Sequence, residues 1–170
     1  MGHKIYVGVD NGTTGTVACV GDCATQFIET PIIKEQSYTK AKKIISRIDH
    51  LSLKQWFINI MGTGIAPCDV IAVIERPMIN PMRFQASVSA ARSLEATLCV
   101  IEDLGIPHMY IDSREWQKVM LPSGLQGAPE LKKASMDIGL RLFPEHEKVI
   151  RKHKDSDSIL IAEWARRAGL

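Results

Sequence analysis

Three acidic residues stand where apolar segments begin or end, and together they could do metal-dependent chemistry. Asp10 ends the segment KIYVGVD, Glu75 ends DVIAVIE, and Asp157 opens an apolar segment near the C terminus. Carboxylates that converge on one place raise one another's pKa unless a cation lies between them. Oxygen ligands suit Mg²⁺ or Mn²⁺, and two such ions could activate a water molecule and stabilise the leaving oxygen in phosphodiester hydrolysis.

Each acid also has a structural interpretation. Asp10 precedes Asn-Gly, a common turn sequence, and Glu75 could be a capping acid. Asp157 could simply place a favourable charge in the first turn of a helix, worth about 0.3–1 kcal/mol. Helical periodicity counted from Asp157 gives an apolar stripe of Leu160, Ile161, Trp164 and Ala168. Asp157 is therefore predicted to face inward, which favours a functional role.

The elements that must position these acids alternate between strands and helices. Residues 4–10 predict a first strand, and TGTVACV and TQFIETPII predict two more, so that the three form an antiparallel meander. The continuous apolar run 69–75 is typical of a strand covered on both faces, and 107–111 predicts a further strand. Helices are predicted from a cap at Ser52, over 84–104, around Trp116, from Pro129 to about Phe143, and over 156–168. This order predicts an α/β fold in which helices flank a mixed sheet.

Length and composition indicate one globular domain over residues 1–170, because 170 residues with 45% hydrophobic content can build a proper core. The net charge of +2 argues against a polybasic binder, although the positive charge is clustered. The clusters are Lys40, Lys42, Lys43 and Arg47; Lys132 and Lys133; Lys148, Arg151, Lys152 and Lys154; and Arg166 and Arg167. Any one cluster could be a solvated face, but four together favour a ligand.

The cysteines and the lengths of the apolar runs indicate the cellular compartment in which the protein is expected. Cys19 and Cys23 have no second close pair, so a zinc site is not expected, and with Cys68 and Cys99 they are predicted to be reduced core thiols. The sequence has no signal pattern and no apolar run long enough for a bilayer. We therefore expect a soluble, cytoplasmic protein with no membrane partner.

The segments YVGVDNGTTG, VIERP, REWQKVMLP, KKASMDIGLRLFP and DSDSILIAEWARR occur in an order and spacing that resemble the RuvC-like Holliday junction resolvases. The resemblance covers nearly the whole chain and is strongest to the phage, chloroplast and mitochondrial branches of this group. It implies an RNase H-like fold with a mixed five-stranded sheet flanked by helices. It also implies a homodimer that places two metal-dependent sites on opposed strands of a four-way DNA junction and nicks them symmetrically. From the oxygen ligands we expect the metal to be Mg²⁺, for which Mn²⁺ can substitute.

The resemblance implies metal-binding roles for Asp10, Glu75 and Asp157, whereas the fourth ligand departs from the family pattern. Relatives carry an acid or His three to five residues before the last acid, where this chain has Lys152, His153 and Lys154. Asp155 lies only two residues before Asp157, and residues two apart on an ideal helix point about 200° away from each other. Asp155 can therefore join Asp157 only if it precedes the first helical turn. We expect Asp155 as the fourth ligand and hold His153 in reserve.

The resemblance also implies DNA contacts. Lys132 matches a lysine near the scissile phosphate in relatives, and a solvated lysine on an amphipathic helix explains it equally well. Phe84 matches residues that approach the junction centre, and the alternative is a core Phe at the start of a helix. The further predicted DNA contacts are Lys118, Lys133, Lys152 and Lys154. The small residues Ala86, Ser87, Ser89, Ala90 and Ala91 predict either close packing of their helix on the sheet or a homodimer contact.

Two other functions remain open on the sequence. GVDNGTTG also resembles the phosphate-binding start of sugar kinases and actin-like ATPases, but that group needs a second domain to close over ATP and leaves Glu75 and Asp157 unused. A catalytically weak or silent junction-binding protein would keep the basic clusters and fail at the fourth ligand. Binding of ATP would favour the first alternative, and binding of junctions without cleavage would favour the second.

Overall fold

The structure is a computed structural model that describes residues 4–21, 25–37, 40 and 42–170. Cys23, one of the predicted core thiols, lies outside the described residues. The strands are β1 (Ile5–Val9), β2 (Thr16–Gly21), β3 (Thr25–Glu29), β4 (Ile32–Gln36), β5 (Ile44–Ile48), β6 (Val70–Glu75) and β7 (His108–Ile111). The helices are α1 (His50–Met61), α2 (Phe84–Asp103), α3 (Ser113–Met120), α4 (Gly127–Leu142), α5 (Glu147–His153) and α6 (Asp157–Ala168).

Five of the strands form one mixed sheet in the order β3-β2-β1-β6-β7. The pairs β3-β2 and β2-β1 are antiparallel, which confirms the predicted meander, and β1-β6 and β6-β7 are parallel. Helices cover the sheet, so the predicted mixed five-stranded α/β fold is confirmed. The strands β4 and β5 form a separate antiparallel hairpin. The sequence prediction missed this hairpin because it ran TQFIETPII on as one strand.

The predicted helices all form, with two differences. The predicted cap of α1 was wrong: the helix begins at His50, and Asp49 caps it by accepting a hydrogen bond of 3.2 Å from the Ser52 amide. The short helix α5 was not predicted. At the start of α2, Ser87 is buried, whereas Ala86 and Ala91 are exposed.

Apolar side chains fill both faces of the five-stranded sheet. One layer lies between the sheet and α1 and α2, and its fully buried members include Val7, Leu53, Phe57 and Ile101. The other layer lies under α3 to α6, and its fully buried members include Ile111, Trp116, Leu160 and Ile161. Both faces of the central strands are thus covered, as the continuous apolar runs predicted.

Helix α6 lies directly on β1 because Gly8 has no side chain. A Cβ atom on Gly8 would overlap the carbonyl oxygen of Ser158 and lie 2.7 Å from the Ala162 amide nitrogen. A hydrogen bond of 2.8 Å from the Ser158 hydroxyl to the Thr16 hydroxyl joins the same helix to β2. This contact brings the first turn of α6 close to the carboxyl end of β1.

Of the three described cysteines, Cys19 fits the prediction of a core thiol, and Cys68 and Cys99 do not. Cys19 is buried, and burial raises the pKa of its thiol to about 11, whereas Cys68 and Cys99 are exposed. Cys68 lies in a short helical turn, Pro67–Asp69, and Cys99 lies within α2 on its exposed side. None of the helices in the described ranges has the length and apolar character that crossing a bilayer requires.

Candidate metal centre

Asp10 and Glu75 lie side by side at the carboxyl ends of two neighbouring strands. The parallel register pairs Val9 with Ile74, so the next residue on each strand is an acid. Glu75 is also held from the side, because the indole Nε1 of the fully buried Trp116 donates a hydrogen bond of 3.0 Å to its Oε1. The sequence analysis placed Trp116 on a helix but missed this role, since nothing in its local pattern points to an acid 41 residues away.

Asp155 and Asp157 reach the same edge from the turn after α5 and from the first residue of α6. Helix α5 ends at His153, Lys154 adopts a left-handed conformation with φ of 67°, and α6 begins at Asp157. Asp155 therefore precedes the first turn of α6, which is the geometry that the two-residue spacing required. Leu160 and Ile161 are fully buried as predicted, whereas Ala168 at the end of the predicted stripe is exposed.

Ser135 on α4 fixes the position of this segment. Its hydroxyl donates a hydrogen bond of 2.5 Å to Asp157 Oδ1 and accepts one of 3.1 Å from the Ser156 amide. The Ser156 hydroxyl in turn donates a hydrogen bond of 2.6 Å to the Ser135 carbonyl oxygen. One turn further along α4, a Cβ atom on Gly139 would overlap the Ser156 side chain. Helix α4 is thus tightly fitted against the acid-bearing segment, a contact that the sequence analysis did not identify.

The reserve ligand His153 lies beside Asp155, within reach of Asp10. One potential ligand atom from each of these three residues lies within 4.8 Å of the other two, and His153 Nε2 is 3.8 Å from Asp155 Oδ1. The Asp155 side chain is only 5% exposed. Its Oδ1 is buried with no hydrogen-bond partner in the described part of the chain, while its Oδ2 lies 3.3 Å from Lys132 Nζ.

Burial and mutual repulsion raise the pKa of two of the acids. The pKa of Asp10 rises to about 8, first because the carboxyl is buried and then because Asp157, Glu75 and Asp155 repel its negative charge. The pKa of Asp157 rises to about 7, mainly through burial, although the Ser135 hydrogen bond lowers it. These oxygen ligands, their repulsion and the unpartnered Asp155 oxygen fit a hard divalent cation.

Comparison with known proteins identifies the fold. No protein family model and no curated protein matches the sequence. The structure of T. thermophilus RuvC in complex with Holliday junction substrate matches over 98% of this chain and 96% of that chain, with a TM-score of 0.53 and 12% identity. The fold is RuvC-like. A second Thermus thermophilus RuvC structure matches over 97% of this chain and 96% of its own, with a TM-score of 0.50 and 12% identity.

The predicted DNA contacts are spread over the RuvC-like fold. Lys132 lines a cleft of about 180 Å³ together with Glu75 and Asp157, whereas Lys133, on the same helix, lines a different groove. The remaining predicted lysines are exposed, namely Lys118, Lys154 and Lys152, the last of which pairs with Glu29 at 3.0 Å. The Phe84 side chain is 67% exposed, so the alternative of a core phenylalanine is wrong.

We expect the stability of the metal-free protein to fall as the pH rises from 5 to 8. The unfolded chain releases its aspartate protons near pH 4, whereas folded Asp10 and Asp157 keep theirs up to about pH 8 and 7. Across that window the folded state binds more protons, so its free energy of unfolding decreases with pH. Added Mg²⁺ should raise the melting temperature more at pH 8 than at pH 5, because at pH 5 it competes with protons.

Melting curves in EDTA and in Mg²⁺ at several pH values measure both effects. The double variant Asp10→Asn/Asp157→Asn is the control, and it should lose most of the pH dependence. A melting temperature in EDTA that stays level or rises between pH 5 and 8 would contradict the assignment of a crowded, uncompensated acid cluster.

Replacing Trp116 by Phe should weaken the centre without unfolding the RuvC-like fold. Phe keeps an aromatic ring in the core but removes the donor to Glu75 Oε1. Loss of a hydrogen bond that orients a ligand reduces metal affinity or activity by about 10–100-fold. The Mg²⁺ concentration that gives half of the maximal rise in melting temperature measures the effect. Trp56→Phe is the matched control, because the Trp56 indole nitrogen is buried with no partner among the described residues. Equal behaviour of the two variants would refute the positioning role.

Proposed function

We propose that this protein is a structure-specific endonuclease that resolves four-way DNA junctions by metal-dependent hydrolysis of phosphodiester bonds. One observation carries the proposal: four carboxylates gather at one edge of a RuvC-like sheet, from the residue after β1, the end of β6, the turn before α6 and the first residue of α6. The RuvC of T. thermophilus, which shares this fold, forms a complex with Holliday junction substrate. The likeness of fold does not by itself require a cation at this site. The mutual repulsion of the four carboxylates gives a physical reason for one.

In this proposal Asp10, Glu75, Asp155 and Asp157 hold Mg²⁺, or Mn²⁺ in its place, with His153 as the reserve ligand. A divalent cation bound there would polarise the scissile phosphate and make an attacking water molecule more acidic. Trp116 and Ser135 keep Glu75 and Asp157 in fixed orientations. The net reaction adds one water molecule across a phosphorus–oxygen bond and leaves ends that can be ligated.

In this proposal Lys132 contacts the scissile phosphate. Its Nζ lies 3.3 Å from Asp155 Oδ2, and its side chain is 63% exposed, so it can turn from the acid to a phosphate oxygen. A lysine at this distance would neutralise part of the negative charge that a DNA strand brings towards four carboxylates. We therefore assign Lys132 a direct role in catalysis.

The remaining parts of the proposal concern the way DNA is held. Exposed basic residues at Lys118, Lys133, Lys152 and Lys154 would contact flanking phosphates with salt-dependent affinity, and Phe84 would approach the junction centre. Two copies of the chain would place two centres on opposed strands and produce paired nicks. Such an enzyme would work on DNA in the cytoplasm of a bacterial cell, encoded by the cell or by a phage.

A cleavage assay on an end-labelled, immobile four-way junction tests the proposal. We expect symmetric nicks with Mg²⁺ or Mn²⁺, none in EDTA, and little cleavage of linear duplex of the same sequence. Tight junction binding without nicks from either metal would instead favour a silent junction-binding protein. Absence of both binding and nicking would reject the proposal, and ATP binding is expected to be absent.

A further inference from the structure

The hairpin of β4 and β5 leaves the outer edge of β4 open. At one end of the pair, the Ser37 amide donates a hydrogen bond of 2.7 Å to the Lys43 carbonyl oxygen. At the other end, the Asp49 amide donates one of 2.9 Å to the Pro31 carbonyl oxygen. In an antiparallel pair, residues whose backbone groups bond to the opposite strand alternate with residues whose groups point away from it. The residues of β4 whose backbone N–H and C=O groups point away from β5 are therefore Ile32, Lys34 and Gln36.

No strand in the described part of the chain pairs with this edge. The other strand, β5, lies against α2, and the two border a cavity of about 270 Å³ that Ser46 and Ile48 line from the strand and Ser93 from the helix. On β4 itself only Glu35 is half-buried, and the other residues of the strand are exposed. An open, exposed edge of this kind is a template for pairing with a further strand.

Exposed isoleucines flank the open edge. Ile32 and Ile33 are 39% and 40% exposed, and Ile44, which lies opposite Gln36 on β5, is 68% exposed. Successive side chains of a strand point to opposite faces, so Ile32 and Ile33 present one apolar group on each face of the hairpin. A strand added along β4 would cover both side chains. It would also stabilise the hairpin, because an isolated pair of strands is only marginally stable in water.

The exposed charges of the hairpin are mostly positive. Its one described acid, Glu35, pairs with Arg47, whose Nη1 lies 2.7 Å from Glu35 Oε1. The lysines of the hairpin are exposed and have no ion-pair partner among the residues that the structure describes, namely Lys34, Lys40, Lys42 and Lys43. These lysines are not among the residues that the proposed function assigns to DNA. Acidic side chains in an added strand would complement them.

We infer that the edge of β4 binds an extended segment of a partner protein, in which a short apolar stretch adjoins a run of acidic residues. The backbone of the segment pairs with the open edge, its apolar side chains cover Ile32 and Ile33, and its acidic side chains meet the lysines. DNA fits this surface less well, because phosphates cover no isoleucine and have no hydrogen to donate to the edge carbonyl groups. The site lies outside the acid cluster and does not depend on DNA cleavage.

The peptides acetyl-VIVDEDE-amide and acetyl-EDEDVIV-amide test the edge, and together they allow for either direction of the added strand. Each is titrated into the full chain up to about 1 mM, which detects weak binding, while backbone amide NMR signals of residues 32–36 are followed. The signals of Ile32, Lys34 and Gln36 should move most, because the amides of Ile33 and Glu35 already bond to β5. Methylation of alternate peptide nitrogens should weaken binding by about 5-fold or more, since it removes hydrogen-bond donors but no side chain.

Variants of Lys34 separate the backbone pairing from the charge. Lys34→Pro removes an N–H that points away from β5, a position at which an edge strand tolerates proline, and it should weaken peptide binding by about 5-fold or more. Unchanged amide signals of Ile45 and Arg47 would show that the hairpin remains folded. Lys34→Gln removes only the charge and should weaken binding chiefly at low salt. Lys148→Gln, on the exposed side of α5, removes the same charge and should leave binding intact.

Three results would overturn the inference. The first is that neither peptide shifts the signals of β4. The second is that a linear DNA duplex shifts them and the peptides do not, which would assign the hairpin to DNA. The third is that the signals depend on protein concentration alone and that Lys34→Pro abolishes this self-association, which would assign the edge to a second copy of the chain. Junction nicking should be unchanged in Lys34→Pro, so failure of this inference and failure of the proposed function are distinguishable.

Discussion

Replacing Asp10 by Asn is expected to abolish junction cleavage and, at the same time, to raise the melting temperature of the metal-free protein at pH 8. Asn has nearly the same shape but cannot carry the charge that the neighbouring acids repel. Burial and these acids raise the pKa of Asp10 to about 8, so its ionisation opposes folding. Each kcal/mol recovered should raise the melting temperature by about 2–4 °C in a chain of this size.

Cleavage by Asp10→Asn should fall by at least about 100-fold, because removal of a metal ligand costs no less than loss of a residue that orients one. Junction binding should persist, since the basic residues are untouched. Asp137→Asn on the exposed side of α4 is the matched control for charge, and it should change neither property. Lower stability of Asp10→Asn in EDTA at pH 8 would contradict the repulsion, and retained cleavage would contradict the metal-binding role.

Replacing Gly8 by Ala should have the largest effect on stability. The new methyl group would overlap the Ser158 carbonyl oxygen and press on the Ala162 amide, so α6 would have to move away from β1. Overpacking usually costs about 1–3 kcal/mol, and a clash with backbone atoms on both sides of a helical turn belongs at the upper end or beyond. A cost of about 3 kcal/mol corresponds to a drop in melting temperature of roughly 6–12 °C.

The displacement of α6 should also lower the rate of junction cleavage, because Asp157 is the first residue of this helix. Thermal unfolding and the junction assay, both at a temperature where the variant stays folded, measure the two effects. Gly64→Ala is the control: a Cβ atom at Gly64 would meet nothing within 4 Å. If both variants melt like the wild type, α6 does not lie as close to β1 as described.

The two acids at the ends of strands could be predicted from the sequence. The acids at the turn between α5 and α6 could be predicted only in part. Asp10 and Glu75 follow continuous apolar runs, and the ends of parallel strands meet at one edge. Asp157 was located by helical periodicity. The two-residue spacing of Asp155 and Asp157 predicted that Asp155 must precede the first turn of α6. The turn that places it there depends on the left-handed conformation of Lys154, a non-glycine residue.

The contacts that support the acids were beyond the reach of sequence patterns. The bond from Trp116 to Glu75 spans 41 residues, and the bond from Ser135 to Asp157 spans 22. Ser135 looks like any small polar residue on a helix until α4 is packed against the end of α5. The hairpin of β4 and β5 was missed for a different reason: its strands carry exposed isoleucines, so their apolar pattern does not mark a buried strand.

The close contact of α6 with β1 has a consequence for which ions the proposed metal centre would accept. Gly8 leaves no soft side chain between the two backbones, and Ser135 and Trp116 restrain two of the carboxylates from outside. Carboxylates restrained in this way cannot move apart easily to accommodate a larger ion. Mg²⁺ binds oxygen at about 2.0–2.1 Å and Ca²⁺ at about 2.3–2.6 Å. We therefore expect the stiffness of the backbone, as much as the charge of the acids, to select ions by radius.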